Sequence, residues 1–137
     1  NAWYEEAMKG ESGLTKAERE MIAVVVSVAN ACAYCIAAHS AALRKLTRDP
    51  ALADQVAADH RAAAIPERMK AALDYAVKLT LRPTEMAEAD VQALRDAGWT
   101  DEDVMDVAEV TGLFNMSNRM ASGLGWAPNP EYDLLGR

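Results

Sequence analysis

The chain has 137 residues, enough for one domain to bury a core without disulfide or metal staples, and a formal net charge of −7. That charge argues against nucleic acid or an anionic membrane as the main partner, because phosphate binding rests on basic surface. Hydrophobic residues make up 51% and charged residues 26%, the balance of a soluble helical protein; no apolar run nears the ~20 residues of a membrane span and no signal-peptide layout is present, so a cytoplasmic protein is expected.

In chain order, residues 1–13 place Trp3, Tyr4 and Met8 at near-helical spacing before a Gly10–Gly13 loop, a short helix or the tail of one. Thr15 and Glu18 form a T-x-x-E capping box that starts a helix running to about Val28. From Met21 onward that helix is apolar nearly all round, which predicts a place in the middle of the domain. Asn30 is a good N-cap residue, so the next helix is expected from Ala31 to about Leu46, turning basic at Arg44 and Lys45 near its C-terminal end.

Asp49–Pro50 opens a short helix over Ala51–Ala58, and Ile65–Pro66 leads into another with Pro66 at its first position. Met69, Leu73, Ala76, Val77 and Thr80 form the inward stripe of that helix, which stops before Pro83. Glu88–Ala97 is a further short helix closed by Gly98. Thr100 with Asp103 opens the last long helix, to about Ala121, and Gly123, Gly125, Pro128 and Pro130 turn the tail into an extended arm. No strand-like alternation and no repeat is present, so the fold class is all-α, a compact bundle of about six or seven helices. One domain is expected, with its core over residues 14–125 and the arm over 126–137. Starting at Asn1, the chain reads as a trimmed piece of a longer protein.

Chemistry concentrates in EMIAVVVSVANACAYCIAAH, Glu20–His39. Both cysteines lie there, Cys32 and Cys35, as a C-x-x-C with His39 four residues on. On one helix the three fall within roughly 60° of each other, and both thiols sit near an N-terminus whose free N–H groups favour a thiolate. His39 lies one turn past Cys35, within reach of its proton. Glu20, at the edge of the buried run, suits a proton relay. Two cysteines are too few for a disulfide scaffold. A zinc site would need Cys32, Cys35, His39 and the distant His60 together, so no metal is expected. His60, in ADHRAA, reads as an exposed surface residue. Tyr34 lies about 100° from Cys35 around the helix and reads as packing at the mouth of the site. Asn115 and Asn118 share the apolar face of the last helix and read as structural ties to a neighbouring backbone or subunit. Arg119 could pair with a carboxylate across such an interface. Trp99, Phe114 and Trp126 are available for contacts in a homo-oligomer.

Glu20-x11-Cys32-x2-Cys35-x3-His39 resembles the alkylhydroperoxidase D signature, within the carboxymuconolactone decarboxylase-like superfamily of all-helical proteins. The run LTKAEREMIAVVVSVANACAYCIAAHSAALRKLTRDPALA is similar to its peroxidase-related branch, as are AVKLT, EADVQALRDAGWTDEDV and FNMSNRMASGLG, so the likeness spans Leu14 to Gly125. Tyr34 is a departure, since the best-known members carry a histidine there. The resemblance implies trimers or hexamers, an additional helix before Asn1, and a thiol peroxidase working without haem, flavin or metal. In that scheme Glu20 and His39 draw the proton from Cys35, which attacks a hydroperoxide. Cys32 resolves the sulfenic acid to a disulfide, and an external dithiol reduces it. The opposite order of attack is open, because Cys32 lies closer to the helix N-terminus. The alternatives are a decarboxylase or isomerase of the same superfamily, whose members generally lack the C-x-x-C, and a redox-sensing binding module.

Overall fold

The computed structural model describes all 137 residues, Asn1–Arg137, as seven α-helices and two short 3₁₀ turns. These are α1 (Ala2–Lys9), α2 (Lys16–Ala29), α3 (Ala33–Thr47), α4 (Pro50–Asp59), α5 (Glu67–Leu81), α6 (Glu88–Asp96) and α7 (Asp101–Leu124), with 3₁₀ turns at Pro83–Glu85 and Pro130–Asp133. There is no strand, and no helix is long and apolar enough to cross a membrane.

Helix α2 is the axis of the bundle. It packs against α1, α3, α4, α5 and α7, and every residue from Arg19 to Ser27 is buried. Its start is the expected capping box: Glu18 N–H donates to Thr15 Oγ1 at 3.1 Å, and Thr15 N–H to Glu18 Oε1 at 2.9 Å. Around it Leu14, Ile22, Leu43, Met69, Leu73 and Phe114 are fully buried in a single large apolar cluster. Phe114 and Trp99 belong to this interior, 0% and 2% exposed, so neither is free for contacts with another subunit; Trp126 is half exposed. Trp99 Nε1 finds its acceptor within the chain, Arg68 O at 2.8 Å.

The α2–α3 junction departs from the sequence reading. Asn30 caps the end of α2 instead of starting α3, and Ala31 takes a left-handed φ of 53°. The N–H of Cys32 reaches back to Ser27 O at 3.0 Å and that of Ala31 to Val28 O at 3.0 Å, the paired bonds of a Schellman stop. Cys32 is then the N-cap of α3, which begins at Ala33. Pro66 likewise stands at the N-cap of α5 and not inside it. Helix α7 runs past Ala121 to Leu124, where Gly125 at φ 71° ends it.

The C-terminal arm is not simply extended. It turns through Pro130–Asp133 and lies back on α3. Arg44, read from sequence as a dipole partner at the helix end, is 3% exposed and donates through Nε to Leu135 O at 2.8 Å and through Nη2 to Tyr132 O. Arg137 adds an ion pair to Asp54 of α4 at 3.2 Å.

Candidate active site

The Schellman stop places Cys32 and Cys35 on the opening turn of α3. No side chain caps that turn, so its first N–H groups have no carboxylate or hydroxyl partner. Both cysteines are free thiols, each 3% exposed, and they pack together with Ala121 of α7 and with Tyr34.

Glu20, near the start of the buried run of α2, faces His39 part-way along α3. His39 Nδ1 lies 2.7 Å from Glu20 Oε2, with both side chains largely covered, and the imidazole stands edge-on to Phe114 at 4.5 Å between centroids. A carboxylate only accepts, so in this contact Nδ1 is the donor, and Nε2 is the ring nitrogen turned away from Glu20. His39, Glu20 and Cys35 open into one cleft of about 350 Å³, walled by Tyr4, Tyr34, Phe114, Trp126 and Tyr132. Cys32 does not line it. Glu20, His39 and Cys35 of the sequence-derived set are thus brought together between α2 and α3, with Cys35 on the cleft side of the cysteine pair.

Burial pushes the Cys35 thiol from its ordinary 9.0 up to about 12, helped by a hydrogen bond with Cys32; a hydrogen bond from the Asn118 side chain works in the opposite direction. At neutral pH the resting Cys35 is a thiol, and its ionisation requires a base. Tyr34 is raised by its hydrogen bond with Tyr132 and by burial, and Tyr4 by burial and then by the charge of Glu20.

Tyr34 packs at the mouth of the cleft, T-shaped against Trp126 at 5.5 Å and Tyr132 at 6.2 Å. Asn115 and Asn118 do make structural ties, within the chain: Asn115 Nδ2 donates to Thr80 Oγ1 at 3.0 Å and Asn118 Nδ2 to Ser27 Oγ at 3.0 Å. Arg119 meets no carboxylate; its Nη1 donates to Asn115 O at 3.2 Å and Oδ1 at 3.1 Å. His60 is not the exposed residue expected. Its side chain is 17% exposed, its Nε2 lies 2.7 Å from Asp74 Oδ1, and it does not line the cleft.

Two parts of the site escaped the sequence reading. The arm supplies Trp126 and Tyr132 to the wall, and no local pattern marks a tail for return to a helix it follows by some 90 residues. Asn30 reads from sequence as a cap, whereas its side chain also bonds Asn115 and Asn118 of α7. The signal available was Ser27, a lone hydroxyl within the apolar run of α2 and 0% exposed.

The profile of the carboxymuconolactone decarboxylase family matches residues 1–80. Comparison with curated proteins gives no match. Among solved structures, an uncharacterized peroxidase-related protein from Silicibacter sp. TM1040 is 48% identical, with a TM-score of 0.96 over 99% of this chain and 71% of that one. An uncharacterized peroxidase-related protein from Ralstonia eutropha JMP134, described as an alkylhydroperoxidase AhpD core, is also 48% identical, with a TM-score of 0.95 over 99% and 72%. The debrominase Bmp8 in complex with 2,3,4-tribromopyrrole is 14% identical and shares the fold, with a TM-score of 0.85 over 98% and 72%.

Proposed function

The chain belongs to the carboxymuconolactone decarboxylase family, and from that premise we propose that it is a thiol-dependent peroxidase. The observation that carries this reading is the shared cleft, in which Cys35 and the Glu20-bound His39 face one space with Cys32 beside them.

His39 Nε2 accepts the Cys35 proton, and Glu20 holds the imidazole in the tautomer that can do so. The Cys35 thiolate attacks one oxygen of a hydroperoxide. The O–O bond breaks, the leaving alkoxide takes the proton from His39 as an alcohol, and Cys35 is left as the sulfenic acid. Cys32 then attacks that sulfur, forming the Cys32–Cys35 disulfide and releasing water. An external dithiol, small or carried by a protein, supplies two electrons and two protons and is itself oxidised to a disulfide. Attack by Cys35 is favoured because it alone of the two lines the cleft. The same reading includes a homo-oligomer, trimer or hexamer. Exposed Met105, Met120 and Leu124 along the outer side of α7 support it, and sedimentation measures it.

The test is hydroperoxide consumption with dithiol present, paired with thiol counting before and after a peroxide pulse. Wild type is expected to lose both thiols per pulse and regain them with dithiol, and Cys32→Ser and Cys35→Ser to lose turnover. Full activity in the Cys35→Ser protein would reject the scheme. One observation favours a second reading, a redox-sensing module: the arm is docked on the thiol helix through Tyr34 and Tyr132. Consumption of a single equivalent of peroxide, with no cycling when dithiol is added, selects that reading.

A further inference from the structure

The α3 side of the cleft is a single helix face. Cys35, Ala38, His39 and Ala42 follow at i, i+3, i+4 and i+7, so the sulfur and the imidazole share that face with two alanines, both partly exposed, that leave room beside them. Most of the remaining lining is aromatic, in two edge-to-face groups. Phe114 meets the His39 ring at 4.5 Å and Tyr4 at 6.4 Å; Tyr34 meets Trp126 at 5.5 Å and Tyr132 at 6.2 Å. Trp126 is half exposed, so much of a large apolar ring at the mouth still meets water. No lysine or arginine lines the space, and its one carboxylate, Glu20, is engaged by His39. At about 350 Å³ the cleft lies at the small end of ligand pockets, ~300–1,000 Å³, with room for one ring and a short branch but not for an acyl chain.

We infer that the substrate of this cleft is a neutral hydroperoxide carrying a single aromatic ring, and that Trp126 and Tyr132 of the arm, with Tyr34 between them, select it. This rests on the reading of Cys35 as the peroxidatic thiol and names the substrate class of that same site. An entering ring takes the edge-to-face arrangement that the walls already adopt among themselves, with centroids about 4.5–7 Å apart. Hydrogen peroxide gains nothing from such walls. A fatty-acid hydroperoxide brings a chain too long for the space and a carboxylate that finds no cation there and stands beside Glu20. A saturated ring of equal size covers similar apolar surface but lacks the polarised edge and face that an aromatic wall distinguishes. The chemistry is the cycle already given. Two thiols become the disulfide, and the hydroperoxide leaves as the aryl-bearing alcohol and water.

The test compares kcat/KM of the full chain, with dithiol in excess, for 2-phenyl-2-propyl hydroperoxide, its ring-saturated counterpart 2-cyclohexyl-2-propyl hydroperoxide, and the aryl compound bearing a para-carboxylate. All three share the same tertiary O–O group. Wild type is expected to prefer the aryl over the saturated compound by about three- to tenfold, the worth of one aromatic pair, and over the carboxylate by about tenfold. Equal use of the aryl and saturated compounds overturns the inference, as does equal use of the carboxylate. The double variant Trp126→Leu, Tyr132→Leu keeps apolar surface and removes two rings, and is expected to lower the aryl-to-saturated ratio. Reading a ratio cancels any general change in access to the thiols; an unchanged ratio overturns selection by the arm. Binding separates this inference from the peroxidase reading. In a Cys32→Ser background, 2-phenyl-2-propanol is expected to protect Cys35 from iodoacetamide at lower concentration than 2-cyclohexyl-2-propanol. A wild type that consumes no hydroperoxide rejects the peroxidase reading, and preferential protection then leaves the aromatic site standing. Equal protection by the two alcohols rejects the aromatic site, with or without turnover.

Discussion

Cys35 keeps its proton because it is sealed beneath Tyr34 and Ala121, and that has a thermodynamic sign. The folded thiol is held near 12, whereas in the unfolded chain it ionises near the ordinary 9.0. Between those values the folded state binds the extra proton, so stability falls as pH rises from about 9 toward 12 and is unaffected below that window. Unfolding of reduced protein across this range should lose more per pH unit in wild type than in Cys35→Ala, by at most about 1.4 kcal/mol per unit. Parallel slopes in the two proteins would contradict the burial assigned to this sulfur. At this scale the sequence was informative where chemistry is local. The C-x-x-C, His39 and Glu20 announce themselves by residue type and helical spacing, and the fold gathers them. The Asn30–Asn118–Ser27 tie does not announce itself, because nothing local marks which neighbour a carboxamide on an apolar helix face will meet.

Between elements, the α2–α3 junction sets where the thiols stand. Ala31 occupies the left-handed position that glycine commonly fills at such a stop, at φ 53°. This strains an L-residue by roughly 1–2 kcal/mol, against about 0.4–1 kcal/mol of unfolded-chain entropy that glycine would add. Ala31→Gly is therefore expected to raise stability by about 0.5–1 kcal/mol, read from chemical denaturation, with the thiol chemistry unchanged; a loss of stability would mean that the Ala31 methyl is held by a contact. The same alanine makes the junction hard to recognise from sequence. A Schellman stop is legible when glycine marks it, and Asn30 beside an unmarked alanine looks like a cap for the following helix. Elsewhere the caps were plain, Thr15 with Glu18 and Thr100 with Asp103, and those helices begin where the sequence puts them.

For the molecule as a whole, hydrophobic periodicity was enough for an all-helical bundle around α2, because the fully apolar stretch from Met21 can be satisfied only by neighbours on every side. The path of the arm was not legible, since it depends on a buried guanidinium with no carboxylate near it. Arg44 is compensated by carbonyls at the end of the Pro130–Asp133 turn, and charged hydrogen bonds of this kind contribute about 1.5–3 kcal/mol. Arg44→Met keeps the stem that packs on Gly136 and removes the donors. It should leave the helical core folded while residues 126–137 become sensitive to limited proteolysis and the cysteines label faster. Protection of the arm equal to wild type would show that its aromatic contacts and the Arg137–Asp54 ion pair hold it without Arg44.

Trp126 rests edge-on against the ring of Tyr34, which itself packs on the two sulfurs, while Trp3 donates to Glu109 and Trp99 to Arg68 well away from them. A newly closed S–S bond is an efficient quencher of a nearby excited indole. The emission of this one tryptophan therefore carries a built-in optical record of whether the thiols are open or joined, readable in real time and without any label.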